Sequence, residues 1–218
     1  MRRRDLLLAL PFSASAALAL QASAMAAANG PTPAPLTPQD QAELDQIQAY
    51  LNGLTSLKAK FLQIAPDGSA SQGIAWLERP GRMRFQYDPP SPYLLVAGHG
   101  LLVFHDQRLG QTTNILLSST PLGVLLAKHI QLSGPVTVTG FQGLPGEFDV
   151  TLVRTASPES GSLTLVFSTD PLQLRQWAVT DAQGKITRVT LYDVELGGHF
   201  PNSLFTFVPE PKRGTDSK

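Results

Sequence analysis

The chain has 218 residues, 42% of them hydrophobic and 16% charged, with 17 basic and 17 acidic side chains. Such a composition excludes wholesale disorder, and the length suits one domain with a self-sufficient core. A formal charge of zero excludes the basic footprint of a nucleic-acid binder, and the absence of cysteine excludes disulfides, thiolate catalysis and thiolate metal sites.

The first predicted element is a signal peptide over residues 1–28. Arg2, Arg3 and Arg4 form its positive start, Leu6 to Leu20 its apolar stretch, and Ala22-Ser23-Ala24 or Ala26-Ala27-Ala28 its small-residue cleavage site. Arg3-Arg4-Asp5-Leu6-Leu7 also resembles a twin-arginine signal, so the Sec and twin-arginine routes both fit. Cleavage removes three arginines and Asp5, leaving 14 basic and 16 acidic residues and no long apolar run. The expected mature protein is exported and carries no membrane anchor of its own. A lipid anchor is excluded too, because bacterial lipoproteins are acylated on a cysteine.

Residues 29–36 read as a Pro-rich linker, 37–211 as the folded domain and 212–218 as a flexible tail. Thr37 and Pro38 open a helix as N-cap and first residue. Leu44, Ile47, Leu51 and Leu54 give it one apolar face, and Gly53 is its stop. Strands are predicted next over Ser56–Ala65, Ala70–Glu78 and Arg82–Tyr87. Tyr93–Ala97 and Leu101–His105 form a hairpin about Gly98-His99-Gly100, followed by Thr112–Leu117. A helix signal starts at Thr120-Pro121 and carries Leu122, Leu125 and Leu126. Six more strands follow: Val136–Phe141, Phe148–Arg154, Ser162–Ser168, Leu174–Thr180, Ile186–Glu195 and Leu204–Val208. Short strands at this spacing predict an antiparallel all-β sandwich or barrel. The two apolar helix faces must pack on that sheet. Periodicity leaves two readings open, a filled core and a cavity under a helical lid.

One stretch, Trp76-Leu-Glu-Arg-Pro-Gly-Arg-Met-Arg-Phe-Gln-Tyr87, places Arg79, Arg82 and Arg84 close together in a chain with few charges. Arg82, Arg84 and Gln86 alternate with Met83, Phe85 and Tyr87, which gives a wet face and an apolar face.

This stretch, with Phe61 and Gln63, Leu94 to Asp106, Gln111, Ser119 to Leu126, Leu165 to Leu191 and Phe205 to Pro211, resembles the LolA family of periplasmic carriers of outer-membrane lipoproteins. The resemblance covers nearly all of the predicted mature chain. It implies a mainly β fold: an incomplete, curved antiparallel β-barrel with helices covering an apolar cavity. It also implies a periplasmic carrier that takes acylated lipoproteins from the inner-membrane transporter LolCDE and delivers them outward, to the receptor LolB where one exists. No cofactor, enzyme activity or nucleic-acid partner is implied, and a monomer is expected. LolB shares the fold but is itself a lipoprotein, so the lack of cysteine favours the carrier. By the same resemblance Arg79, which precedes Pro80, corresponds to an arginine that binds backbone carbonyls of the lid and latches it. Arg82 and Arg84 read as solvated. Phe61, Trp76, Met83, Phe85, Tyr87, Leu95 and Phe104 are the expected acyl-chain lining, with barrel core an equal reading for Phe61 and Trp76, and Leu122, Leu125 and Leu126 are the expected lid helix. Met83 stands where some family members carry phenylalanine; a flexible thioether suits a lining as well.

The four histidines, His99, His105, His129 and His199, show no metal-ligand spacing, and there is no nucleophile elbow or phosphate loop. The alternatives to a lipoprotein carrier are a LolA-like carrier of another lipid and a periplasmic sensor of lipoproteins or envelope stress.

Overall fold

A computed structural model describes residues 30–208. The expected signal peptide and the 212–218 tail lie outside the described residues. Helix α1 spans Pro38–Gly53. The Thr37 hydroxyl accepts the Asp40 N–H at 3.1 Å, and the Asp40 carboxylate accepts the Thr37 N–H at 2.8 Å. This reciprocal cap satisfies two of the donors that a helix start leaves free. Leu44, Ile47 and Leu51 are the buried stripe, as their spacing predicts.

Eleven strands follow. Six precede the second helix: β1 (Ser56–Ile64), β2 (Ala70–Glu78), β3 (Arg82–Tyr87), β4 (Tyr93–Gly98), β5 (Leu101–Asp106) and β6 (Gln111–Leu116). A 3-10 turn at Leu117–Ser119 leads into α2, only four residues long, Leu122–Leu125. The rest are β7 (Val136–Leu144), β8 (Glu147–Arg154), β9 (Ser162–Thr169), β10 (Leu172–Thr180) and β11 (Ile186–Leu196). All eleven make one antiparallel sheet in the order β6-β5-β4-β3-β2-β1-β11-β10-β9-β8-β7. The β1–β11 pairing joins the first and last strands mid-sheet, and β6 and β7 are left as unjoined edges. The sheet is therefore a curved, incomplete barrel. Its inner face carries one continuous apolar cluster, which the two helices cover.

The hairpin predicted at Gly98–Gly100 is present. His99 and Gly100 take φ of 51° and 79°, the left-handed pair that tight hairpins need.

Leu204–Val208 is not a strand. Asn202–Phe205 is a 3-10 turn lying across the outer face of β3 and β4. Phe205 is buried there, and anchoring that one ring outweighs the weak alternation around it. Gly98 makes the contact possible, since a Cβ at that position would lie 2.5 Å from the Phe205 carbonyl oxygen. Arg82 and Arg84 face this segment rather than open solvent. Arg82 Nη1 donates to Asn202 Oδ1 at 2.8 Å, and its guanidinium sits 5.4 Å from the Phe205 ring centre. Arg84 Nη1 donates to the Leu204 carbonyl at 3.2 Å. Glu78 completes the anchor with an ion pair to Arg82 at 2.6 Å.

Candidate functional site

The inner face of the sheet is not filled everywhere. A cavity of about 330 Å³ lies between β3–β5 on one side and β10–β11 on the other. Met83, Phe85, Leu95 and Leu102 line the first wall; Trp177, Val179 and Val189 line the second. Ser119, Thr120, Pro121 and Leu122 cover it. The remaining lining is polar: Gln63, Ser160, Asp181 and Thr187. The Tyr87 hydroxyl donates to Gln63 Oε1 at 2.8 Å. Burial pushes that hydroxyl well above the usual phenol range, so Tyr87 is a neutral donor.

The cover is short and tightly folded. A Cβ on Gly123 would lie 2.4 Å from the Leu117 carbonyl oxygen, so only glycine lets the 3-10 turn fold onto α2. The segment after α2 is tied to α1. Asn52 Nδ2 donates to the Ile130 carbonyl at 2.8 Å, and its Oδ1 accepts the Ile130 N–H at 3.0 Å. Gln48 Oε1 accepts the Leu132 N–H at 2.8 Å.

Arg79 sits where these pieces meet. Its Nε donates to the Ala127 carbonyl at 2.8 Å and its Nη2 to the Lys128 carbonyl at 3.2 Å. Its Nη1 donates to the Leu51 carbonyl, and to the Leu54 carbonyl at 3.2 Å. One planar fork thus serves four carbonyls on two elements. Two of them end α1, whose last turn contains no basic residue. A cation there meets both the unpaired carbonyls and the negative end of the helix dipole. Partial burial lowers the Arg79 pKa from its ordinary value, yet a guanidinium keeps its charge at any neutral pH. The neighbouring Gly81 N–H donates to the Leu126 carbonyl at 2.9 Å, a further tie to the lid.

Of the expected lining, Met83, Phe85 and Leu95 face the cavity. Trp76 does not. It pairs with Arg84 of β3 and Lys58 of β1 on the outer face. The inner face of β2 carries Gly73, Ala75 and Leu77 instead. Gly73 must lack a side chain because a Cβ there would run into the Gln86 carbonyl of β3, and Ala75 pairs with Phe85 beside a cluster of rings: Phe61 lies 4.6 Å from Phe85 and 5.1 Å from Tyr87. Phe61 and Tyr87 are accordingly packed core beside the cavity, not its lining. Phe104 is on the inner face, paired with Leu95, but it lies beyond the cover and is 36% exposed. Leu122 lines the cavity, whereas Leu125 and Leu126 are buried anchors beneath the cover. The wall of Trp177, Val179 and Val189 had no sequence signal of its own. Their alternation is readable, but not that curvature turns them toward β3.

Fold and site together define a class: curved-sheet proteins that hold an apolar cavity under a helical lid. Within it, this chain belongs to the LolA family, since the family described as "Outer membrane lipoprotein carrier protein LolA" matches residues 52–208. It is 28% identical over 187 residues to the outer-membrane lipoprotein carrier protein of Chromohalobacter salexigens, covering 81% of this chain and 88% of that one. The protein of the same name in Methylococcus capsulatus is 28% identical over 185 residues, covering 81% and 86%. Among solved structures, a LolA superfamily protein from Nitrosomonas europaea superposes with a TM-score of 0.42 at 10% identity, over 75% of this chain and 97% of that one.

Proposed function

We propose that this protein is a periplasmic carrier that shelters the acyl chains of lipoproteins and hands them to the outer membrane. The observation that carries this is the apolar cavity whose cover is tied down by Arg79. Family membership and the names of the relatives support it. Each methylene exposed to water costs ~0.8 kcal/mol, so an acylated protein crosses an aqueous compartment only inside an apolar shelter. The carrier binds and does no bond chemistry. Its donor is an inner-membrane transporter of the LolCDE type, its acceptor a LolB-type receptor or the outer membrane itself. Handover runs down a gradient of affinity.

Arg79 is the latch in this reading. Its four carbonyl contacts favour the closed lid, and acyl chains that enter must displace the cover and break them. Release then recovers those contacts, which helps expel the cargo. The Arg79→Leu variant should load cargo and fail to deliver it, read as labelled lipoprotein that stays in the soluble complex when outer membranes are added.

The test is release from spheroplasts of the host that are labelling a new outer-membrane lipoprotein. Mature carrier added outside should bring that lipoprotein into solution as a one-to-one complex. Spheroplasts with an active transporter that release nothing to it would sink the reading.

A further inference from the structure

The cavity does not end at its cover. Two cross-strand rows of the inner face lead from it to the β6 edge. One runs Phe85, Leu95, Phe104, Thr113; the other runs Met83, Ala97, Leu102, Ile115. The first members of each row line the cavity, while Phe104 and Ile115 are 36% and 42% exposed. The far end of β6 runs through Leu116 into the Leu117–Ser119 turn, and so directly into the cover. Edge and cavity mouth are thus one continuous surface.

That edge is unguarded. All six residues of β6, Gln-Thr-Thr-Asn-Ile-Leu, are exposed. The strand holds no charge, no proline and no bulge against β5. These are the devices by which edge strands normally refuse a further strand. Every second residue of an edge strand turns its N–H and C=O outward, and among the described residues no backbone group pairs with that side of β6. Among the described residues, half of the ten exposed large apolar side chains belong to this hairpin: Leu101, Phe104, Leu109, Ile115 and Leu116.

We propose that β6 takes the polypeptide that follows the acylated cysteine of the cargo as an added strand. This rests on the carrier reading of the cavity. With the acyl chains inside, the peptide leaves at the cover, where Leu116 ends β6, and the open ladder lies along its exit. Strand addition draws affinity from main-chain hydrogen bonds. A neutral ladder reads backbone and tolerates varied side chains, so it steadies the first residues of a cargo without choosing among sequences. The exposed Ile115 gives an added strand an apolar neighbour on the inner face.

The test uses the full mature chain and three synthetic probes. One is a triacylated cysteine amide without peptide. The second carries eight neutral residues after the same cysteine. The third is that lipopeptide with backbone N-methylation at alternate residues, made in both registers. Amide hydrogen exchange of Gln111–Leu116 and probe affinity are read together. The proposal expects exchange at β6 to slow with the second probe and with the N-methylated probe whose register leaves the bonding amides free, and to stay unchanged with the first. It also expects N-methylation in one register to weaken binding about 30- to 100-fold, the effect of two or three net hydrogen bonds. If all three probes bind equally and β6 exchange never changes, strand addition is overturned while the carrier reading stands. If none binds, both fall. If the free protein is a dimer with β6 already protected, the edge belongs to a second copy of this chain, and the proposal is overturned in its favour.

Discussion

The two halves of the inner face differ in how well they are covered. On the β7–β10 side lies α1, sixteen residues or about 24 Å long. Beneath it Val150, Leu163 and Phe167 are fully buried, and Ile47 and Leu51 of the helix are equally dry. On the β3–β6 side lies α2, four residues or about 6 Å long. Met83, Phe85, Leu95 and Leu102 continue the apolar face there, yet Phe104 and Ile115 remain exposed and a cavity opens beside Leu95. The length of the lid differs between the halves, and so does the sheet's far edge, where Asp106, Thr113 and Gln111 join the inner face. A sheet that could be fully covered is left partly uncovered, and that is what makes a binding protein of an ordinary core.

The comparison breaks most visibly in the filled half. Phe167 is fully buried and meets Tyr50 edge-on at 6.0 Å between ring centres. Phe167→Ala should cost about 3–5 kcal/mol, read as a fall in the urea midpoint at unchanged slope. Leu95→Ala lies against existing space and should cost about 2 kcal/mol, the low end for a leucine truncation, while lowering acyl-probe affinity. Equal losses of stability would mean that the two halves are packed alike.

Arg79 ties the covered half to the uncovered one. Arg79→Leu leaves the Leu51, Leu54, Ala127 and Lys128 carbonyls without their donor. For a half-exposed side chain the loss should be about 2–3 kcal/mol. It should appear as faster hydrogen exchange over residues 117–132, with β8 and β9 unchanged. Exchange that speeds up across the whole sheet would make Arg79 a general stabiliser rather than a tie on the lid.

A smaller effect belongs to the start of α1. Thr37→Ala removes the hydroxyl that accepts the Asp40 N–H and should cost about 1 kcal/mol. Acyl-probe affinity should hold, because the capping end of α1 is remote from the cavity lining.

The fold was legible because its signals are local. Alternation in β3 separates Met83, Phe85 and Tyr87 from the arginines, and Thr37-Pro38 marks the helix start to the residue. The site was only partly legible, because its shape depends on what faces what across the curved sheet. Arg79 could be singled out from the family resemblance, but its four acceptors are backbone carbonyls, which carry no sequence signature. Arg82 and Arg84 alternate as a wet face does, yet a distant segment, Asn202–Phe205, docks on them. Phe104 was assigned to the correct face, but strand alternation says nothing about how far a lid extends.

Trp76 gives the smallest expected effect on binding and the sharpest test of face. The inner positions of β2 are glycine, alanine and leucine, so the large ring suggests an inner position that its register denies. A size-based reading fails here for a physical reason: inner space at β2 is already taken by the Phe61 and Phe85 rings, 4.6 Å apart. Trp76→Ala should therefore leave acyl-probe affinity within about twofold, with a stability loss of about 1 kcal/mol from the shed packing against Arg84 and Lys58. Leu95→Ala in the same assay should weaken binding several-fold. The contrast is informative because Trp76 is much the larger of the two. If affinity followed side-chain size, the tryptophan variant would bind worse; if it follows the face of the sheet, the leucine variant will.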